Sequence, residues 1–204
     1  MISLEFLVTS LIVVLIPGTG VIYTVSTGIV QGRRASLYAA FGCTLGIVPH
    51  LLATILGLAA VMHASALAFQ LLKYAGVAYL FYIALATWRD RSAFVVDENA
   101  RRESVGKVVV KAVLLNILNP KLTIFFLAFL PQFVEAGAPS PLMEMLLLSA
   151  VFMLMTFLVF IFYGLLAHAF RRKVIDSARV QHCLRYGFAA AFAGLGARLA
   201  LADK

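Results

Sequence analysis

The sequence predicts an all-α polytopic membrane protein of six transmembrane helices, arranged as two inverted three-helix halves with the first helix of each half broken. Three observations carry that expectation. The 204-residue chain is 63% hydrophobic and only 13% charged, whereas soluble domains run at about half apolar and about a quarter charged. Nine acids and seventeen bases do not suffice to clothe a watery surface, and a mean hydropathy of +0.99 turns the excess apolar surface toward lipid. Lastly, the bases gather in alternate gaps between apolar runs, and proline–glycine interruptions recur at matched places along the chain. A cytoplasmic enzyme, a secreted disulfide scaffold and a disordered chain are excluded.

Crossing roughly 30 Å of hydrocarbon takes about 20 mostly apolar residues. Six stretches qualify: 4–30, 35–62, 66–88, 108–134, 142–169 and 184–202. Arg185 and Arg198 narrow the apolar centre of the last, so five helices with a peripheral sixth is the alternative. The start, Met1-Ile2-Ser3-Leu4-Glu5, carries no basic n-region, and no small-residue cleavage site follows a short apolar stretch; the first segment is therefore expected to remain in the mature protein.

Twelve of the seventeen bases fall in segments 31–34, 89–107 and 171–185, while the gaps around 63–69 and 135–141 hold none. The positive-inside rule makes the basic segments cytoplasmic, with both termini outside if all six helices span. The same placement argues against a nucleic-acid partner despite the net charge of +8, because such binders concentrate bases on one exposed face. Acids mix most densely with the bases between Asp90 and Glu103, a solvated linker. The chain thus reads as one domain, 1–204, comprising a first half (1–88), a cytoplasmic linker (89–107) and a second half (108–204). Cys43 lies in an apolar run and Cys183 in a basic gap; both read as buried structural thiols, with no disulfide or metal knuckle indicated.

The interruptions carry the functional signal. Pro17-Gly18-Thr19-Gly20 lies a dozen residues past Glu5, and Asn119-Pro120-Lys121 lies a dozen past Lys107. Proline removes a backbone donor and frees nearby carbonyls. Lipid cannot hydrogen-bond them, so each break must face protein or a wet cavity. Asn119-Pro120 reads as an N-cap followed by the first residue of a new half-helix. Gly18 and Gly20 let the backbone leave helical geometry, and Thr19 is a candidate cap for what restarts. Two restarting half-helices would aim positive dipole ends at one depth, a receptor for a carboxylate, and paired breaks of this kind point to a transporter's binding site.

Lys121, about 21 Å along its helix from Lys107, is a charge past the bilayer centre and therefore a functional candidate. His50 lies at a comparable depth on the second helix. It is the candidate for proton coupling, since histidine changes charge near neutrality, against the plainer reading of a hydrogen-bonded core residue. Lys73 and Lys111 read as snorkelling, and Glu5 and Glu144 as outer-edge residues with a weak gating signal. Gly42 and Gly46, like Gly28 and Gly32, form small-xxx-small pairs for close helix packing.

With these pieces in place, the chain resembles the lysine exporter (LysE) family, and within it the homoserine/threonine efflux (RhtB) branch. The resemblance spans nearly the whole chain. It rests on Pro17-Gly18, Gly32-Arg33-Arg34, Gly42 and Gly46, Gly57-Leu58-Ala59-Ala60, the run Lys73 to Leu80, Asn116 to Lys121, Phe125-Phe126 and Phe129-Leu130-Pro131-Gln132-Phe133. Thr19 stands where the family usually has a second proline, which bears on the geometry or preference of the break, and Ala84 replaces a frequent glycine. The resemblance implies secondary export of amino acids or their derivatives from a bacterial cytoplasm, driven by protons. Because no carboxylate lies at mid-membrane, a neutral, homoserine- or threonine-like substrate is expected rather than a cationic one. The expected binding residues are Pro17, Gly18, Thr19, Gly20, Asn119, Pro120 and Lys121. No cofactor and no enzymatic activity are expected; the partners are the substrate, protons and lipid, and a monomer or a homodimer stays open. The alternatives are a metal or inorganic-ion exporter, for which only His50 and Cys43 offer ligands at depth, and an intramembrane enzyme, which lacks a nucleophile–base pair.

Overall fold

The computed structural model describes residues 2–15, 18–64, 66–89, 103–134, 140–167 and 177–201. Those residues form α1 (Leu4–Val14), α2 (Thr19–Gln31), α3 (Arg33–Leu45), α4 (Val48–Ala64), α5 (Ala66–Arg89), α6 (Val105–Ile117), α7 (Pro120–Phe129), a 3-10 turn (Leu130–Phe133), α8 (Pro141–Leu165) and α9 (Ala178–Leu201). No strand occurs among the described residues, which are nearly all helical. Among them, the stretch Arg33–Gly57 and α8 are each long and apolar enough to cross a bilayer. Counted as one broken span, the pair α1 and α2, bent by 56° across a short break, is a third.

Sequence chemistry accounts for most helix boundaries. Ser3 is the N-cap of α1, its hydroxyl accepting from the Phe6 N–H at 3.1 Å. Gly32 alone separates α2 from α3. Its φ of 91° and ψ of 173° lie in a region essentially reserved for glycine, so this sharp corner requires it. Pro141 starts α8 in the first turn, where its missing N–H costs nothing. Helix α9 begins at Ala178, six residues before the predicted 184, with the Ser177 hydroxyl accepting from Val180 N–H. Part of the predicted basic loop 171–185 is thereby helical, and Cys183, expected to be buried, is exposed on α9. Linker residues 90–102 and basic residues 171–173 lie outside the described residues.

Helix α3 is the central strut, packing on α2, α6 and α8, while α5 pairs with α9 and α7. Small residues set these approaches. A Cβ on Gly42 would lie 2.7 Å from the Val109 carbonyl and the Ala112 Cβ, and one on Gly46 would lie 2.7 Å from the Val113 carbonyl and the Asn116 Cβ. Backbone therefore meets backbone between α3 and α6. Gly28 and Gly164 play the same part where α2, α3 and α8 meet at Ser36 and Ala167. At one end, the Gln31 side chain accepts from the Glu103 N–H at 2.9 Å, and the Glu103 carboxylate pairs with Lys111. The ammonium of Lys111 is thus paired with an acid at the rim rather than extended alone.

Candidate functional site

Helix α1 ends at Leu15, whose N–H still donates to Leu11, but whose carbonyl has no next turn to receive. The Tyr163 hydroxyl of α8 donates to that carbonyl at 2.9 Å. Helix α2 restarts with Gly18 as N-cap in extended geometry, so Thr19 is the first helical residue rather than the cap expected for it. No side chain caps that start, which leaves the first N–H groups of α2 pointing out of its end. Pro17 lies outside the described residues.

The second interruption separates α6 from α7. The chain tightens there, with Asn119 N–H donating to the Asn116 carbonyl at 2.9 Å and Leu122 N–H to the Asn119 carbonyl at 3.1 Å. The helix restarts at Pro120, as an Asn-Pro pair predicts. The side chains of Pro120 and Lys121 lie outside the described residues, so only their place at the first turn of α7 is stated.

A third irregularity, which the sequence reading missed, divides α3 from α4 at Gly46-Ile47. Ile47 N–H donates to Thr44 and His50 N–H to Ile47, at 3.1 and 3.0 Å, both tighter than the α-helical spacing. Pro49, just before His50, was the available signal, because it removes a donor in this turn.

All three irregularities meet at one cavity of about 250 Å³. Its wall takes Val13 and Val14 from the end of α1, Gly18 to Val21 from the start of α2, and Ile47 from the third irregularity. Asn116 and Asn119 come from the second break, Leu122, Phe125 and Phe126 from α7, and Phe152, Thr156 and Phe160 from α8. Of the residues anticipated from sequence, Gly18, Thr19, Gly20 and Asn119 therefore share one wall. Gly42 and Gly46 are not in it; they set the α3–α6 approach behind it.

His50 sits one residue behind that wall. It is buried, its Nε2 2.8 Å from the Asn116 carbonyl and its Nδ1 2.6 Å from Thr123 Oγ1. A carbonyl can only accept, so Nε2 carries the hydrogen, and in the neutral ring Nδ1 accepts from the Thr123 hydroxyl. Adding a proton at Nδ1 reverses that second bond, because a hydroxyl both donates and accepts, and breaks neither. Asn116 in turn donates its side-chain amide to the Cys43 carbonyl, and the Cys43 thiol lies 3.7 Å from the Gly20 carbonyl. A polar thread thus runs from the start of α2 through Cys43 and Asn116 to His50 and Thr123, joining the two breaks. Of this thread, the sequence reading singled out Gly20, Cys43 and His50. Asn116 entered only as the start of the run that carries the resemblance, and Thr123 and Tyr163 were not anticipated. Among the described residues, no three of His, Cys, Asp and Glu lie close enough to hold a metal ion.

Comparison with known proteins places these features in a lineage. The LysE type translocator family matches residues 11–203. The chain is 32% identical over 197 residues to a homoserine/homoserine lactone efflux protein of Salmonella typhimurium, covering 97% of this chain and 95% of that one. It is 24% identical over 203 residues to a leucine efflux protein of Klebsiella pneumoniae, with 97% and 93% covered. An uncharacterized membrane protein of Vibrio cholerae is 36% identical over 132 residues, 65% of this chain and 64% of that protein. No solved structure matches.

Proposed function

The chain belongs to the LysE type translocator family, and from that premise we propose that it exports neutral amino acids or their derivatives across the bacterial inner membrane in exchange for protons. The observation that carries this reading is the meeting of both helix breaks at one small cavity. Relatives named for efflux of homoserine, homoserine lactone and leucine agree with it, and homoserine- or threonine-like cargo is the expectation from the sequence. In this reading residues 1–88 and 108–204 are inverted halves joined by the linker 89–107, with segments 31–34, 89–107 and 171–185 in the cytoplasm.

The chemistry follows from the wall. A carboxylate set against the start of α2 receives backbone N–H groups and the positive end of the helix. Gly18, Thr19 and Gly20 line that end, and Pro17, Asn119, Pro120 and Lys121 complete the proposed binding set, with Lys121 as the proposed cation for the same anion. His50 is the proton carrier. Protonation at Nδ1 places a charge behind Asn116, and the thread through Cys43 passes the change to the α2 start, so that the occupied and proton-loaded forms differ in energy.

Lys121→Ala, inserted normally in the membrane, abolishes export of labelled substrate from loaded cells; undiminished export removes Lys121 from the site. His50→Gln, which keeps a hydrogen-bonding side chain without titrating, flattens the pH dependence of export across roughly pH 5–8. A retained profile assigns the proton to another group.

A further inference from the structure

Beyond its position, the cavity has a chemical bias. We infer that its side-chain compartment is built for hydrocarbon, so that this chain prefers neutral amino acids with apolar side chains, valine- or leucine-like, over their hydroxylated counterparts. The inference rests on the proposed export reading and deepens it. It also reverses the order within the neutral class that the resemblance led one to expect.

Phe125, Phe126, Phe152 and Phe160 are all buried, at 5%, 1%, 4% and 8% exposure, and all line the cavity. Phe152 stands against two of them, its ring centroid 5.1 Å from that of Phe126 and 6.5 Å from that of Phe125. The first pair meets edge to face and the second is tilted, so the three rings pack as one aromatic wall. Phe160 lies directly over the first break, its Cε2 2.9 Å from where a Gly20 Cβ would stand. The polar start of α2 and the aromatic wall are therefore adjacent, and one small zwitterion reaches both.

Two of the nearby polar side chains already donate to the protein. The Thr156 hydroxyl donates to the Phe152 carbonyl of its own helix at 2.9 Å, and the Asn116 amide donates to Cys43. Thr19 and Asn119 stand at the helix restarts, where the charged end of the substrate is proposed to bind. A substrate hydroxyl held among the four phenylalanine rings thus gives up water for hydrocarbon, the circumstance in which an apolar wall disfavours it. The size agrees with a single amino acid, since about 250 Å³ falls below the roughly 300–1,000 Å³ of drug-sized sites.

Valine and threonine have nearly the same shape and differ by a methyl for a hydroxyl, so they isolate this term. The full-length protein in proteoliposomes should transport labelled valine with kcat/KM on the order of tenfold or more above threonine. Phe152→Tyr, or Phe160→Tyr where the first variant fails to insert, adds a hydroxyl to the wall and should narrow that ratio several-fold. Threonine carried as well as or better than valine overturns the inference and leaves amino-acid export intact, as does an unchanged ratio in an inserted variant. Transport of neither amino acid overturns the export reading together with it.

Discussion

At the α1–α2 break the Leu15 carbonyl is met by a tyrosine hydroxyl, whereas at the α6–α7 break the Asn116 carbonyl is met by an imidazole. Each donor comes from far along the chain: Tyr163 lies 148 residues beyond Leu15, and His50 lies 66 residues before Asn116. Lipid offers a carbonyl no donor, so each such bond counts, although the Asn116 carbonyl also keeps the Asn119 N–H. The donors differ in one respect that matters for function. A phenol keeps its hydrogen near neutrality, while an imidazole gains or loses one. The first break is thus a corner held by a phenol, and the second is a corner held by an imidazole, the side chain proposed above as the proton carrier. Cys43 touches both, by its thiol at Gly20 and by its carbonyl at Asn116. A change at the second has a physical route to the first.

Three substitutions test that contrast, from the largest expected effect to the smallest. His50→Ala leaves the Asn116 carbonyl and the Thr123 hydroxyl without their imidazole partner, a loss of about 1–3 kcal/mol. Thermal unfolding in detergent should register it together with collapse of export, and an unaltered melting temperature would mean the two contacts are dispensable. Gly46→Ala drives a methyl group into the Asn116 Cβ and the Val113 carbonyl, for which the overpacking cost is about 1–2 kcal/mol. Its damage should concentrate at the second break, lowering export and altering its pH profile. A loss of stability with an unchanged profile would separate the α3–α6 contact from the site. Tyr163→Phe removes a single oxygen and should cost about 0.6–1.7 kcal/mol, the span measured for hydrogen bonds within membranes. Export should fall by a similar factor at every pH, keeping the shape of the curve. A changed shape would erase the distinction between the corners.

Some of this was legible in advance because it is local. The class follows from composition, the restart at Pro120 follows from residue chemistry, and the paired breaks follow from proline and glycine inside apolar runs; Gly32, expected to pack with Gly28 between helices, is instead the corner, with nothing within 4 Å of where its Cβ would stand. Cys183 was misjudged because a basic gap says nothing of which helix face its residues occupy once α9 extends through it. The tight turn at Ile47 was overlooked although Pro49 signalled it, since a proline in the first turn of α4 disturbs the hydropathy very little.

What the sequence by itself determined, then, is an all-helical membrane chain and the places where its helices fail. Tertiary structure alone decided that the failures meet at one cavity, that Phe152 and Phe160 turn inward while Leu158 and Phe162 of the same helix turn outward, and that His50 finds Asn116 and Thr123. The reason is the solvent. Lipid is about as apolar as a packed core, so no polar stripe marks the inner face of a membrane helix. Which side chains converge is left to small-residue packing and to the demand that every freed carbonyl find a donor.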